Sequence, residues 1–184
     1  EDVVMITLGT GVGGGIIRGG KIVAGTNGAA GEIGHMPMID DESECCGCGK
    51  KGCLEQYASA NGLVNVAEKY IAAHRTVETE LDLNAGFTAK DVCDAAKAGD
   101  KAGLAAVEES MRLLGKAMAS VSCVIDPQVF VVGGGLSKAG NIIIDTASKY
   151  YKEYAFHASR ETEIKLATLG NAAGMYGGVK MVIG

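Results

Sequence analysis

The sequence predicts an α/β protein in which a mixed sheet is flanked by helices within one domain. Three observations support this fold class. Short apolar runs of strand length open the chain, apolar residues at helical spacing fill its middle, and strand-like and helix-like segments alternate after residue 126. The 184 residues suffice to bury a core, and neither a linker nor an internal repeat divides them.

The first elements are a strand and a hairpin separated by glycines. Val3–Leu8 is a β-branched apolar run that leads into a glycine-rich stretch at residues 9–15. Three of these glycines fit the pattern of dinucleotide-binding folds: Gly9, Gly11 and Gly14. That pattern requires a helix next, whereas two short apolar runs around a Gly-Gly pair follow and indicate a tight hairpin. Two interpretations remain open: a loop that binds phosphates through backbone N–H groups and the Thr10 hydroxyl, or a plain hairpin turn.

Residues 32–55 contain the ligands of a metal site. The four candidate ligands are His35, Cys46, Cys48 and Cys53. Three thiolates and one imidazole match a closed tetrahedral zinc site, and the intervening glycines let the backbone turn tightly. Because four protein ligands leave no open position for water, we expect a structural zinc. Glu32 and Glu55 bracket the ligands and are expected to line a polar pocket that the metal shapes.

Disulfides, or redox chemistry at the adjacent Cys45 and Cys46, are the alternatives for this cluster. Disulfides are typical of small secreted chains with little core, and this chain is neither small nor opened by a signal-like segment. We therefore favour zinc, with Cys45 outside the ligand set.

The middle of the chain predicts three helices. Apolar residues from Leu63 to Ile71 recur at helical spacing, and Thr88 with Asp91 forms a capping box that opens a short helix. Asp100 caps a third helix, whose apolar stripe alternates spacings of three and four: Leu104, Val107, Met111, Leu114, Met118, Val121 and Ile125. Such a stripe fits a coiled coil or a core helix, and a single isolated stretch favours the core helix.

The last third of the chain predicts alternating strands and helices. Residues 129–132 are fully apolar and predict a buried strand, and the glycines at 133–135 precede a helix expected to open near Ser137. This junction fits either a ligand-binding loop or a tight βα turn, and the turn is favoured from these residues alone. Residues 163–169 predict another strand. The segment from residue 171 to the end predicts a helix packed closely on a neighbour through Gly174 and Gly178.

The net charge limits which partners are expected, and the use of cysteine indicates the cellular compartment. The net charge is −5 and no lysine- or arginine-rich block is present, so nucleic acid and anionic membrane surfaces are not expected partners. No apolar run approaches the length of a membrane span. A thiolate metal site among six cysteines indicates a reducing cytoplasm.

Four motifs in this order resemble the ROK family of bacterial sugar kinases and sugar-responsive repressors. They are Leu-Gly-Thr-Gly-Val-Gly-Gly-Gly at 8–15, Gly-Glu-Ile-Gly-His at 31–35, Cys-x-Cys-Gly-x-x-Gly-Cys-x-Glu at 46–55 and Val-Gly-Gly-Gly at 132–135. The resemblance covers essentially the whole chain, and the cysteine block is its specific part. It implies an actin-like, ribonuclease-H-like fold.

The resemblance also implies the roles of individual residues. Glu32, His35 and Glu55 would bind sugar hydroxyls, and His35 would ligate the zinc through its other ring nitrogen. ATP, bound with Mg²⁺, would meet two glycine loops. These consist of Gly9, Thr10, Gly11 and Gly13, and of Gly133, Gly134 and Gly135.

One departure from the family limits what this chain is expected to do alone. The family's Asp-x-Gly-Gly-Thr phosphate loop is absent, as is the Asn-Asp pair whose aspartate is the general base. We therefore expect residues 1–184 to form the C-terminal lobe of a two-lobed kinase and to contain no catalytic base. Residues 32–55 would be a zinc- and sugar-binding insertion within this lobe.

Within the family the likeness is to ATP-dependent glucokinases, which implies transfer of the ATP γ-phosphate to O6 of glucose by the complete protein, as a cytoplasmic homodimer. The alternatives are the sugar-sensing lobe of a repressor and a kinase for another hexose, such as N-acetylmannosamine. Repressors of the family often lose the first glycine stretch, so its presence at residues 9–15 favours a kinase.

Overall fold

A five-stranded sheet organises the computed structural model, which describes residues 2–183 (for residues 171 and 181–183, the backbone alone). The strands are β1 (Val3–Leu8), β2 (Val12–Arg18), β3 (Lys21–Ile22), β4 (Val129–Gly133) and β5 (Glu163–Leu166). Their order in the sheet is β3-β2-β1-β4-β5. β1 pairs antiparallel with β2 and parallel with β4, and β4 pairs parallel with β5. The sheet is therefore mixed, as the sequence predicts.

Six α-helices connect or follow these strands in the described part of the chain. They are α1 (Glu55–Ala58), α2 (Ala60–Ala73), α3 (Ala89–Ala98), α4 (Lys101–Ile125), α5 (Asn141–Tyr154) and α6 (Ala173–Ile183). Single 3₁₀ turns lie at Ile33–His35, Leu136–Ala139 and Gly170–Ala172. None of the helices described is long and apolar enough to cross a membrane.

The core is one cluster that joins buried residues of β1, β2 and β4 to those of helices α2 to α5. Alternate residues of β1 and β4 are buried, as the period of two requires for a face packed on helices. Helix α4 packs against α2, α3 and α5, and its Met111, Leu113 and Leu114 are fully buried. Phe130 of β4 meets Tyr151 of α5 edge to face, with ring centroids 5.5 Å apart. Strand β4, which leads to the second glycine stretch, is thereby packed on α5.

Several sequence predictions are confirmed. The capping box is present, because Thr88 Oγ1 accepts from the Asp91 N–H while the Asp91 carboxylate accepts from the Thr88 N–H. Asp100 caps α4 by accepting from the Gly103 N–H. Helix α4 is a core helix, although Leu104 of the predicted stripe is 45% exposed.

Three boundaries differ from the prediction. The glycines from residue 13 to 15 belong to β2, so the loop between the first two strands is only three residues long. Near Ser137 the structure has a 3₁₀ turn, and α5 begins at Asn141 after Gly140, which has a positive φ of 78°. Strand β5 ends at Leu166 rather than at residue 169.

The C-terminal helix α6 forms as predicted. The prediction that it packs closely on a neighbour through Gly174 and Gly178 is wrong for the described residues. A Cβ at Gly174 or Gly178 would meet no heavy atom within 4 Å. Residue 184, the predicted end of this helix, lies outside the described residues, as does residue 1.

Candidate functional site

The cysteine loop, residues 45–53, folds tightly because its glycines permit it. The Cys46 N–H donates to the Lys50 carbonyl over 2.7 Å, and the Gly49 N–H donates to the Cys46 carbonyl over 2.9 Å. Gly52 has a positive φ of 70°, and a Cβ there would lie 1.7 Å from the Ile39 carbonyl oxygen. Only glycine fits this position, because a side chain would collide with the neighbouring backbone.

Backbone hydrogen bonds attach this loop to the segment that carries His35. The Leu54 N–H donates to the Met36 carbonyl over 2.9 Å, and the Met38 N–H donates to the Gly52 carbonyl over 2.7 Å. Residues 36–38 therefore lie beside the last cysteine, so that His35 faces the loop. Backbone pairing between residues 36–38 and 52–54 thus brings the His35 imidazole to the three thiols of the cysteine loop.

The four predicted metal ligands form one cluster. Their ligand atoms all lie within 4.8 Å of one another: one ring nitrogen of His35 and the Sγ atoms of Cys46, Cys48 and Cys53. Cys48 Sγ and Cys53 Sγ are 3.6 Å apart, and Cys46 Sγ is 3.8 Å from His35 Nδ1. Tetrahedral zinc with Zn–S bonds of about 2.3 Å separates two sulfurs by about 3.8 Å, so the cluster fits this ion.

Burial favours the protonated form of two of the three thiols. Burial raises the pKa of Cys46 to about 12 and also raises that of Cys53, whereas the Lys50 N–H lowers the pKa of Cys48. Two buried thiolates are unfavourable unless a positive charge compensates them, which a divalent metal does. All six cysteines, which lie within the described residues, are free, so the disulfide alternative is wrong for this structure.

Two carboxylates flank the imidazole, one at each ring nitrogen. Glu55 Oε1 lies 3.6 Å from His35 Nδ1 and accepts from the Cys46 thiol over 2.8 Å. Glu32 Oε2 lies 3.9 Å from His35 Nε2 on the other side. The Glu55 side chain is 23% exposed and that of Glu32 60% exposed. With Nδ1 facing the sulfurs, Nε2 and both carboxylates form a polar patch open to solvent.

The first glycine loop touches this patch. Residues 9–11 turn the chain from β1 into β2, and the Ala60 N–H at the start of α2 donates to the Gly9 carbonyl over 2.8 Å. A Cβ at Gly11 would lie 2.6 Å from Glu55 Oε2, so the carboxylate occupies the space that a side chain at Gly11 would need. Gly13 is placed in β2 opposite Thr7. Sequence reasoning treated the loop and the carboxylate separately and gave no signal of this contact.

The second glycine loop leaves the same edge of the sheet. Strands β1 and β4 are parallel neighbours, and Gly133 pairs with Thr7, so both loops follow carboxyl ends of adjacent strands. Ligands of open α/β sheets bind at such ends. A cleft of about 870 Å³ lies there, lined by Gly9 and Thr10 from one loop and by Gly135 from the other. Gly134 follows β4 with a positive φ of 92°.

Helices α2 and α3, Phe87 before α3, and the 3₁₀ turn after the second glycine loop line the cleft with residues that sequence reasoning missed. These include Asn61, Asn65, Phe87, Lys90, Cys93, Asp94, Lys97 and Lys138. Asp94 forms ion pairs with Lys90 over 2.6 Å and with Lys97 over 3.7 Å. A charged face on a short amphipathic helix is ordinary for a soluble protein, so the sequence carried no signal that this face lines a cleft.

The fold and the site together define a class: an α/β lobe with two glycine loops at one sheet edge beside a His-Cys₃ cluster. The chain belongs to the ROK family, whose model matches residues 1–184. Its fold is that of the ROK actin-like kinases.

Known proteins of this family are similar over nearly the whole chain. The glucokinase of Halalkalibacterium halodurans is 41% identical over 181 residues, which cover 97% of this chain and 55% of that protein. An N-acetylmannosamine kinase of Escherichia coli is 35% identical over 158 residues, covering 85% and 49%. The structure of a ROK family glucokinase from Streptomyces griseus in complex with glucose and AMPPNP superposes with a TM-score of 0.85 at 34% identity, covering 98% and 60%. The chain thus spans little more than half the length of these glucokinases.

Proposed function

We propose that this chain is the sugar- and nucleotide-binding lobe of a hexose kinase that transfers the γ-phosphate of ATP to O6 of glucose. Support comes from the similarity to glucokinases, one of which was solved with glucose and an ATP analogue. The complete protein is proposed to act in the cytoplasm as a homodimer.

One observation carries the proposal: the Glu55 carboxylate lies between the metal-ligand cluster and the first glycine loop. Its Oε1 is 2.8 Å from Cys46 Sγ, and its Oε2 faces Gly11. A kinase must hold an acceptor hydroxyl within reach of a phosphate. A sugar bound at this carboxylate would lie beside the loop that binds phosphates, as phosphoryl transfer requires.

The sugar subsite consists of Glu32, His35 and Glu55. Carboxylates accept hydrogen bonds from sugar hydroxyls, and such charged hydrogen bonds contribute about 1.5–3 kcal/mol each. A metal at Nδ1 of His35 fixes the imidazole tautomer, so that Nε2 carries the proton and donates in a constant direction. The patch between these groups opens to solvent, which lets a hexose enter.

The nucleotide subsite is the cleft between the two glycine loops. The backbone N–H groups and the hydroxyl of residues 9–11 and the N–H groups of residues 133–135 are proposed to bind phosphates and adenosine, with Mg²⁺ accompanying the phosphates. Gly13 lies in β2, so we propose that it shapes the first loop and does not bind the nucleotide itself. The cleft of about 870 Å³ is large enough for a nucleotide.

Zinc is the metal that the donor set fits, held by His35, Cys46, Cys48 and Cys53. When bound it supplies structural closure of the cysteine loop. Residues 32–55 are proposed to be an insertion that carries both this site and the sugar carboxylates. The general base is proposed to lie outside this chain, on the remaining part of a two-lobed protein.

The second candidate is a kinase for N-acetylmannosamine, favoured by the 35% identity to an enzyme of that name. The two substrates differ at C2, and the three sugar-binding residues proposed here do not distinguish them. The sugar-sensing lobe of a repressor is the third possibility, against which the complete first glycine loop argues.

The deciding experiment assays the full-length protein with ATP and Mg²⁺ on glucose and on N-acetylmannosamine. We expect a higher kcat/KM for glucose. Glu32→Gln and Glu55→Gln should each raise the glucose KM about tenfold or more, because a charged hydrogen bond is lost. Preference for N-acetylmannosamine would select the second candidate, and sugar binding without turnover on either substrate would refute a kinase.

A further inference from the structure

Glu42 is a buried carboxylate in a segment whose other acidic residues are exposed. Its side chain is 7% exposed. It accepts from the Tyr57 hydroxyl over 2.5 Å, from Lys69 Nζ over 3.1 Å and from the Glu44 N–H over 3.0 Å. Ser43 Oγ donates a longer hydrogen bond of 3.4 Å. The carboxylate therefore ties residues 42–44, here called the acidic segment, to helices α1 and α2.

A second tie joins the same segment to the metal cluster. Gln56 Nε2 donates to the Glu44 carbonyl over 3.0 Å, while Gln56 Oε1 accepts from the Cys53 N–H over 3.0 Å. The acidic segment thus contacts α1 at two consecutive residues, Gln56 and Tyr57. These directly follow Glu55, the carboxylate proposed to bind sugar. The segment also ends two residues before Cys46, a candidate ligand.

We propose that Glu42 is a positioning residue that fixes the cysteine loop and Glu55 in their ligand-binding arrangement before metal or sugar arrives. Its contacts go to the groups that hold the site, not to the proposed ligands of metal or sugar. Removal of Glu42 would break the segment's hydrogen bonds to Tyr57 and Lys69 and leave only the bond from Gln56 and the longer Lys69–Glu44 ion pair of 3.8 Å. Conformational entropy that wild type loses on folding would then be lost when zinc binds, so the affinity for zinc would fall.

A role in positioning explains why a charge is buried here. Burying a carboxylate beside an ammonium contributes little net stability, since desolvation offsets the attraction, and apolar residues often replace such pairs without loss. A carboxylate that accepts directional hydrogen bonds from α1, from α2 and from its own segment does what an apolar side chain cannot do. It fixes one orientation of the segment relative to two helices.

The test measures zinc release from the zinc-loaded full-length protein into excess chelator, followed with a colorimetric indicator. The variants are Glu42→Ala, Glu42→Gln and Tyr57→Phe, and the matched control is Asp41→Asn, which removes an exposed neighbouring charge. We expect Glu42→Ala to release zinc about tenfold faster or more, because the loosened segment must be ordered again in the zinc-bound state. The two milder variants should show smaller increases in the same direction, and Asp41→Asn should match the wild type.

A second readout separates positioning from general stability. This readout rests on the proposed function. Glu42→Gln should raise the glucose KM, because Glu55 would be misplaced, while kcat should stay within about twofold, because Glu42 does not touch the reacting atoms. The inference is overturned if Glu42→Ala lowers the unfolding temperature yet releases zinc at the wild-type rate. If that variant does not fold, wild-type zinc release by Glu42→Gln and Tyr57→Phe overturns it equally. Zinc release needs no hexose, so failure of the kinase proposal would leave this test intact.

Discussion

The substitution Gly11→Ala tests the proximity of the first glycine loop to Glu55, the proposed sugar-binding carboxylate. Gly11 is not in the left-handed region, so alanine is compatible with its backbone. The added Cβ would lie 2.6 Å from Glu55 Oε2 and 3.7 Å from Glu55 Cδ, and the first distance is shorter than carbon–oxygen contacts allow. Because the clash is with the far end of a flexible side chain, the carboxylate should move and the loop should stay.

The size of the effect follows from what Glu55 loses. A displaced carboxylate no longer accepts its hydroxyl hydrogen bond from the sugar, and a charged hydrogen bond contributes about 1.5–3 kcal/mol. Glucose affinity should therefore fall by about 10- to 150-fold. If Glu55 instead kept its hydrogen bond in an off-rotamer conformation, the cost would be about 0.5–1.5 kcal/mol. A substitution in the nucleotide loop would thus weaken sugar binding in the absence of nucleotide.

Titration calorimetry of glucose into the full-length protein without nucleotide measures this loss. Gly15→Ala is the matched control, since it adds the same methyl group nearby where no heavy atom lies within 4 Å. The double variant Gly11→Ala/Glu55→Ala should bind no more weakly than Glu55→Ala alone, because both changes remove one interaction. Wild-type glucose affinity in Gly11→Ala, or simple additivity in the double variant, would show that Glu55 does not act as argued.

Three further predictions concern the metal, the acidic segment and the isolated lobe. Metal analysis should find one zinc per chain, and Cys48→Ser should lose it; a metal-free wild type that is fully folded would contradict this, since structural zinc contributes on the order of 10 kcal/mol to folding. Hydrogen bonding by Tyr57 lowers the pKa of Glu42 from 4.5 to about 2, so its contribution to stability is present above pH 4.5 and is lost as pH falls towards 2. The difference in unfolding free energy between wild type and Glu42→Gln should shrink over that interval, and a constant difference would disprove the role of ionised Glu42. The 184-residue chain should not phosphorylate glucose in a coupled assay in which the full-length protein is active, and comparable turnover would place the base within this chain.

The sequence allowed prediction of those features whose determinants are local. The ligand set of His35 and three cysteines follows from residue types within one short stretch, and the structure brings the four together. Helix α3 follows from its capping box, in which Thr88 and Asp91 satisfy each other's backbone. In each case the interacting groups lie within about twenty residues, so spacing alone carries the information.

Features set by tertiary contacts were not predictable in this way. Glycines 13–15 read as a loop because glycine disfavours strands, yet pairing with β1 places them in β2. Leu104 fits the apolar stripe of α4 but is 45% exposed, because α3 packs against the adjacent Gly103, where a Cβ would lie 2.6 Å from the Ala96 nitrogen. The α3 face that lines the cleft depends on where the sheet places two loops that lie more than a hundred residues apart.

The sheet topology places the two proposed subsites side by side. The β1–β2 turn places Gly11 against Glu55, and the parallel pairing of β1 with β4 places the second glycine loop beside the first. We therefore expect that a nucleotide bound at the first loop would act on Glu55, the proposed sugar-binding carboxylate, and that a sugar bound at Glu55 would restrict the loop. Because such coupling is reciprocal, any factor by which glucose changes the affinity for nucleotide must equal the factor by which nucleotide changes the affinity for glucose. We expect this coupling to require neither zinc chemistry nor the general base, since it would rest on the proximity of Gly11 to the Glu55 carboxylate alone.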